Sequence, residues 1–244
     1  MPSPNSSQRF IAHPNLGLPE SYQRWRSSRL GRITDALEEH LILDLLGPVE
    51  GLRVLDIGCG DCALGSLLAQ RGARVTGLDS DAQMLAAAHR RAQRESVDLE
   101  LVQGRAEALP FPEATFDRVV AVTVLCFVPR ADRAIGEMAR VLKPGGCLVI
   151  GELGRWSAWA AIRRVRGWLG APPWRLARFR TVKELRSLVE AHGLNVNRIA
   201  GAIYYPPVRL AAVLLARFDV AFARWTSVGA AFIAISGIKA DRVS

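Results

Sequence analysis

Apolar runs of strand length alternate with helix-length patterns along most of this chain, and that alternation constrains the fold more than any other feature. Arg53-Val-Leu-Asp-Ile57 reads as a buried strand, Ala63 to Arg71 as a helix, and Arg74-Val-Thr-Gly-Leu78 as a second strand. An Ala-rich helix over Ala82 to Arg94 leads into a strand over Leu99 to Gln103. Phe116 to Val122, the helix Arg130 to Val141 and the strand Cys147 to Glu152 continue the series. Strands joined through helices pair in parallel, with the helices on both faces of the sheet. The box Thr181-x-x-Glu184 opens a further helix to about Ala191, which His192-Gly193 ends, and Leu194 to Ile199 and Phe232 to Lys239 supply the last strands. The expected fold is Rossmann-like α/β, a doubly wound and mostly parallel seven-stranded sheet.

The rest of the chain decorates that frame. Residues 1–19 read as a flexible tail and residues 20–48 as an N-terminal helical cap, with Glu20 to Leu46 lying across the carboxyl edge of the sheet. Residues 49–244 form the main domain, with insertions at about 153–180 and 204–228. No apolar run of about 18 residues is present, so a membrane-spanning helix is not expected. The net charge of +9 comes from 29 Arg and only 3 Lys beside much Ala, Leu and Gly, a compositional bias that carries meaning only where the charge clusters. Cys59 and Cys62 form a C-x-x-C with no second pair or His cluster to complete a zinc site, so no metal is expected. The cysteine usage suits a reducing, cytoplasmic setting.

Val54-Leu-Asp-Ile-Gly58-Cys-Gly60-Asp-Cys-Ala63 carries a strand into a glycine-rich turn that opens a helix. Glycine at 58 and 60 lets the backbone approach a ligand, and the helix start offers unpaired N–H groups. Asp79 ends the second strand, where a carboxylate can accept from both hydroxyls of a ribose. This much does not separate a dinucleotide from S-adenosylmethionine. Asp56, inside the strand, favours a cationic ligand over a pyrophosphate. Gly104-Arg-Ala-Glu-Ala-Leu-Pro-Phe-Pro112 follows the third strand, and Arg140-Val-Leu-Lys-Pro-Gly-Gly146 reads as a helix end and tight turn.

With Phe116-Asp-Arg-Val-Val120, these segments resemble the class I S-adenosylmethionine-dependent methyltransferases, in the broad group that includes ubiquinone and menaquinone biosynthesis enzymes. The likeness covers about residues 50 to 152. It implies that Gly58, Cys59 and Gly60 line the methionine portion of S-adenosylmethionine, with Asp56 near the amino group. It implies Asp79 on the ribose, Ser80 and Met84 beside the adenine, Ala106 and Glu107 in the adenine loop, and Thr123 facing the methyl group. Arg105 departs from the pattern: an Asp that accepts from the adenine amino group often stands there, and Arg cannot accept.

A sulfonium-bound methyl group is already electrophilic, so positioning and water exclusion can supply much of the catalysis. No general base stands out, and the four His are isolated. Tyr22 and Trp25 resemble the N-terminal cap of such enzymes, as lid over the cofactor or as anchor of a helix. Cys126 lies beyond the fourth strand, as a small buried residue or as a contact for a thiophilic acceptor.

Residues 153–180 hold seven Arg, four of the six Trp, and no Asp or Glu. Trp156, Trp159, Ile162, Val165 and Trp168 recur at helical spacing, which makes an amphipathic basic helix that can lie on an anionic membrane or cover a pocket. The second insertion, from Tyr204 to about Trp225, is strongly apolar between charges. Two such insertions at one end favour a small, hydrophobic or lipid-like acceptor, with peripheral membrane contact left open. Non-catalytic binding of S-adenosylmethionine or a nucleotide is the other reading, as is methylation of nucleic acid or a metalloid. The absence of an N/D-P-P-Y/F motif after the fourth strand counts against nucleic acid.

Overall fold

Parallel strands covered on both faces need apolar side chains on both faces, and the innermost strands supply them. In the computed structural model, which describes residues 24–171, 174–223 and 226–240, four of the five residues of β1 (Arg53–Ile57) are buried. The sheet has seven strands in the order β3-β2-β1-β4-β5-β7-β6. Besides β1 these are β2 (Arg74–Asp79), β3 (Leu99–Gln103), β4 (Phe116–Val122), β5 (Leu142–Leu153), β6 (Leu194–Ala202) and β7 (Phe232–Lys239). All neighbours pair in parallel except β7, which runs antiparallel to both β5 and β6. The expected doubly wound sheet is what forms.

Seven helices surround the sheet among the described residues: α1 (Arg29–Leu46), α2 (Ala63–Gln70), α3 (Ala82–Glu95), α4 (Ala131–Val141), α5 (Ala158–Trp168), α6 (Val182–Glu190) and α7 (Arg209–Ala223). One core sets Ile135 and Met138 of α4 and Leu185 and Val189 of α6 against Leu55, Val119 and Leu148 of the sheet. The other sets Ile42, Leu45 and Leu46 of α1 and Leu68 of α2 against Val54, Val120 and Val149. Residues of alternate parity on each strand thus feed opposite cores, as the two-residue period requires.

Two boundaries and one placement differ from the sequence reading. Residues 24–27 are helical as expected, but the run breaks at extended Ser28, which caps α1 from Arg29 by accepting from the Gly31 N–H at 3.0 Å. α1 also crosses the face of β5, β6 and β7 with its C-terminal half, and only its first turns reach the carboxyl edge. β5 starts at Leu142 rather than Cys147, since the Lys-Pro-Gly-Gly turn is absorbed as a bulge between the pairs Phe116–Leu142 and Arg118–Cys147. The tail over 1–19 and Tyr22 lie outside the described residues.

The order of strands reverses between β1 and β4. In open α/β sheets the crevice outside the carboxyl ends at that reversal is the place for a ligand.

Candidate active site

The turn after β1 is shaped by two glycines in the left-handed region. Gly58 has φ +66°, and a Cβ there would stand 2.3 Å from a methyl of Val124. Gly60 has φ +55° and opens onto free space. The N–H groups of Gly58 and Cys59 both donate to the Leu78 carbonyl, at 2.7 and 3.1 Å, which docks the turn on the end of β2. Asp79 completes the link: one carboxylate oxygen accepts from the Gly60 N–H and the other from the Asp81 N–H, each at 2.9 Å. A carboxylate oxygen accepts more than one bond, so the fixed Asp79 can still take ligand hydroxyls.

In front of this turn opens a cleft of about 150 Å³. Asp35, Glu38 and Glu39 of α1, Asp56 of β1 and Asp61 of the turn all line it. Five carboxylates in one cleft of a chain with net charge +9 form a site for a cation. Burial pushes the Asp56 carboxyl up to about 7, helped by the charges of Asp79 and Asp61 and opposed by the Gly65 N–H. Glu38 is pushed up to about 8, by burial first and by Asp35 second, while Arg163 and Arg26 pull the other way. Arg26, from the turn before α1, reaches Asp35 at 2.5 Å and Asp61 at 3.3 Å, and Arg91 of α3 holds Asp61 at 2.6 Å. These pairs fix the acidic wall without filling the cleft.

The other residues singled out in the sequence surround this site unevenly. Cys59 and Cys62 both pack on Gly77 of β2, where a Cβ would stand 3.0 Å from either sulfur. The Cys59 thiol is raised by its hydrogen bond with Cys62 and by burial, which keeps it neutral. Met84 lines the cleft, and Ser80 is exposed just past β2, its carbonyl accepting from the Gln103 amide at 3.2 Å. Ala106 and Glu107 are buried, and Arg105 pairs with Glu107 at 3.1 Å. Thr123 adopts φ +55° at the end of β4, its N–H donating to the Gly151 carbonyl at 2.7 Å.

On the β5 side the helix α5 forms a roof. Trp159 is buried, donates its indole N–H to the Tyr205 carbonyl at 2.8 Å, and meets Trp25 edge-on with ring centres 6.5 Å apart. Arg163 stacks on the rings of Trp159 and Trp174, at 5.1 and 4.8 Å, and its charge acts on both Glu38 and Cys126. The underside of α5 therefore lies near Glu38, which lines the cleft. Cys126 is buried with Leu153, Ala160 and Phe179 in a small apolar cluster that Phe127 and Trp174 extend, and burial raises its thiol. At the end of β5, buried Glu152 lies 3.7 Å from Arg180 and ties the segment before α6 to the sheet. Trp156 is two-thirds exposed and borders a second cavity with Arg180 and Val228. Tyr204 packs on Phe222, away from the acidic cleft.

Sequence reasoning missed Asp35, Glu38 and Glu39. The signal was available: three and seven residues on from Asp35, Glu38 and Ile42 share one face of α1, in a chain where acids are outnumbered.

Comparison with known proteins places this geometry. The family described as a methyltransferase domain matches residues 55–150. A ubiquinone biosynthesis O-methyltransferase of Maricaulis maris is 30% identical over 184 residues, which span 73% of this chain and 72% of its own length. A fatty-acid O-methyltransferase of Mycolicibacterium smegmatis is 39% identical over 135 residues, 54% of this chain and 46% of its own. Among solved structures, a SAM-dependent methyltransferase of Thermotoga maritima, described as a possible histamine N-methyltransferase, superposes with a TM-score of 0.70. That match covers 90% of this chain and 95% of the other at 23% identity, and it speaks for the fold alone. The chain belongs to the class I S-adenosylmethionine-dependent methyltransferases, and S-adenosylmethionine is its cofactor.

Proposed function

We propose that this enzyme methylates an oxygen atom of a small, hydrophobic, lipid-like acceptor. The observation that carries the reading is the roof over the ends of β4 and β5: Trp159, Trp174, Phe127 and Phe179 face inward there, beside the acidic cleft. The names of two relatives, a ubiquinone biosynthesis O-methyltransferase and a fatty-acid O-methyltransferase, are compatible with such a roof.

In this reading the turn at Gly58, Cys59 and Gly60 and the Asp56 carboxylate hold the methionine portion of the cofactor. Asp79 takes the ribose hydroxyls, Ser80, Met84, Ala106 and Glu107 border the adenine, and Thr123 stands by the transferred group. The bound cofactor supplies an electrophilic methyl group on a positively charged sulfur. The protein aligns the acceptor oxygen with it and keeps water out.

Glu38 takes the proton of a hydroxyl acceptor. Its carboxyl lines the cleft and is held near 8 by burial. A positive charge arriving in the cleft favours the carboxylate, so the base forms when the cofactor is in place. The O–H bond breaks towards Glu38 as the oxygen–carbon bond forms, and the electron pair of the broken carbon–sulfur bond would stay on the cofactor's sulfur as a neutral thioether.

The test is to incubate the enzyme with methyl-labelled S-adenosylmethionine and a panel of long-chain carboxylic acids, alkylated phenols, polar amines and nucleic acids. Mass spectrometry should find the label on an apolar hydroxyl or carboxyl compound. Label confined to amines or nucleic acid overturns the proposal.

A further inference from the structure

Helix α5 turns two arginines inward and large apolar side chains outward. Arg163 and Arg164 point inward, the first stacked on Trp159 and Trp174, the second on Phe179 at 5.5 Å and bonded to the Arg155 carbonyl at 2.6 Å. The outer face carries Ile162, Val165, Trp168 and Leu169, of which Trp168 is 84% exposed and Leu169 81%. Helix α7 is similar: Ala212 and Asp219 face inward, while Leu210, Leu214, Phe218 and Phe222 form an exposed stripe at spacings of four. Among the described residues, every exposed large apolar side chain lies in 156–176 or 208–228. Such concentration marks a surface that some partner covers.

The two stripes belong to one end of the molecule. Trp159 ties α5 to the segment before α7 through the Tyr205 carbonyl, and Trp156 and Val228 border the same cavity. The charge around them is of one sign. Residues 153–180 contain no acid, and the one acid of 204–228, Asp219, is buried and accepts from the N–H groups of Ile203 and Tyr204 at 2.8 and 2.9 Å. Arg166, Arg175, Arg178, Arg209 and Arg217 remain exposed. No described helix is long and apolar enough to cross a membrane.

We propose that the outer faces of α5 and α7 together dock the enzyme on an anionic membrane surface, apolar side chains in the acyl boundary and arginines at the headgroups. Outward aromatic and aliphatic stripes with a cationic rim are what an interfacial helix needs. A second copy of this chain fits less well, because it would bring arginines against arginines. The inner face of α5 covers the acceptor side of the cleft, so docking sets the substrate entrance against the membrane. This last point rests on the lipid-like acceptor proposed above; the docking itself does not.

The test uses the full chain and vesicles of phosphatidylcholine alone or mixed equally with phosphatidylglycerol. In flotation the enzyme should follow the anionic vesicles, and raising salt should release most of it. The double variant Trp168→Glu/Phe218→Glu should lose roughly tenfold or more in partitioning, with melting temperature and S-adenosylmethionine affinity kept. Absence from the anionic vesicles overturns the proposal. So does partitioning that the double variant leaves unchanged, or light scattering that shows a dimer dissociated by the same substitutions. Because flotation needs no acceptor, docking without methylation of apolar compounds would sink the substrate reading and leave the surface standing.

Discussion

The carboxyl end of the sheet is divided between two regions of opposite character. Around β1, β2 and α1 the cleft is acidic, its shape is set by backbone hydrogen bonds, and Asp35, Asp61 and Asp79 are each held by a named partner. Around α5 and α7 the surface is basic and apolar, and side chains rather than backbone define it. The first region is built for a ligand of fixed shape and charge, the second for an acceptor and a boundary that vary. One end of one sheet thus separates constant chemistry from adjustable recognition.

The sharpest way to break that division is at Glu38, which belongs to the acidic wall yet faces the roof. Replacing it with Gln should lower kcat about 10²–10⁴-fold on a hydroxyl acceptor. The affinity for S-adenosylmethionine should fall much less, since four other carboxylates still line the cleft. A kcat loss matched by an equal loss of cofactor binding would make Glu38 part of the cation site only. A carboxylate acceptor, already ionised, should show little kcat effect.

Within α5 the division runs between two tryptophans. Trp159→Ala removes a buried ring, its hydrogen bond to Tyr205 and its contact with Trp25, and should cost about 3–5 kcal/mol of stability. Trp168→Ala removes an exposed ring and should change stability by less than about 0.5 kcal/mol. Denaturant melts of both variants decide this, and equal effects would mean that the helix is turned otherwise.

That contrast shows what the sequence made legible. The strands and the glycine turn were readable because their signals are local: apolar runs, φ > 0 positions and the interval from Gly60 to Asp79. The orientation of α5 was not. Trp159 and Trp168 fall in one series of three-residue intervals, yet nine residues are about two and a half turns, which sets them on opposite sides. Which side turns inward depends on where Arg163 finds the Trp174 ring, beyond the end of the helix, and on Glu38, more than a hundred residues away in the sequence. The acids of α1 were hidden likewise, because a global excess of arginine masks a local excess of acid.

The cofactor side can be probed by itself. Asp79→Ala should weaken S-adenosylmethionine binding by about 1.5–3 kcal/mol, the scale of hydrogen bonds to a charged group. It also frees the Gly60 N–H, so the glycine turn should loosen on β2. Calorimetry on the folded variant measures both the affinity and any change in enthalpy. Unchanged affinity would remove Asp79 from the site.

The smallest effect expected is a pH dependence of cofactor binding that the acidic region sets. Burial and neighbouring charges raise the carboxyls of Asp56 to about 7 and of Glu38 to about 8. Without a ligand, both groups bind protons over a pH range where the unfolded chain has already lost them. Their contribution therefore lowers stability as pH rises from about 4 to about 8. A cation in the cleft reverses the preference, since it favours the ionised carboxylates, and binding must then release protons. The affinity for S-adenosylmethionine should rise roughly tenfold between about pH 6 and about pH 8 and level off above that. S-adenosylhomocysteine, which lacks the sulfonium charge, should show a shallower rise. Asp56→Asn should flatten the lower part of the curve and Glu38→Gln the upper part, while the Trp168→Glu/Phe218→Glu variant leaves it unchanged. Calorimetry in buffers of different ionisation enthalpy counts the protons released. An affinity independent of pH would mean that the bound cation lies away from both carboxyls, and the acidic wall would lose its claim to recognise the charge on the cofactor.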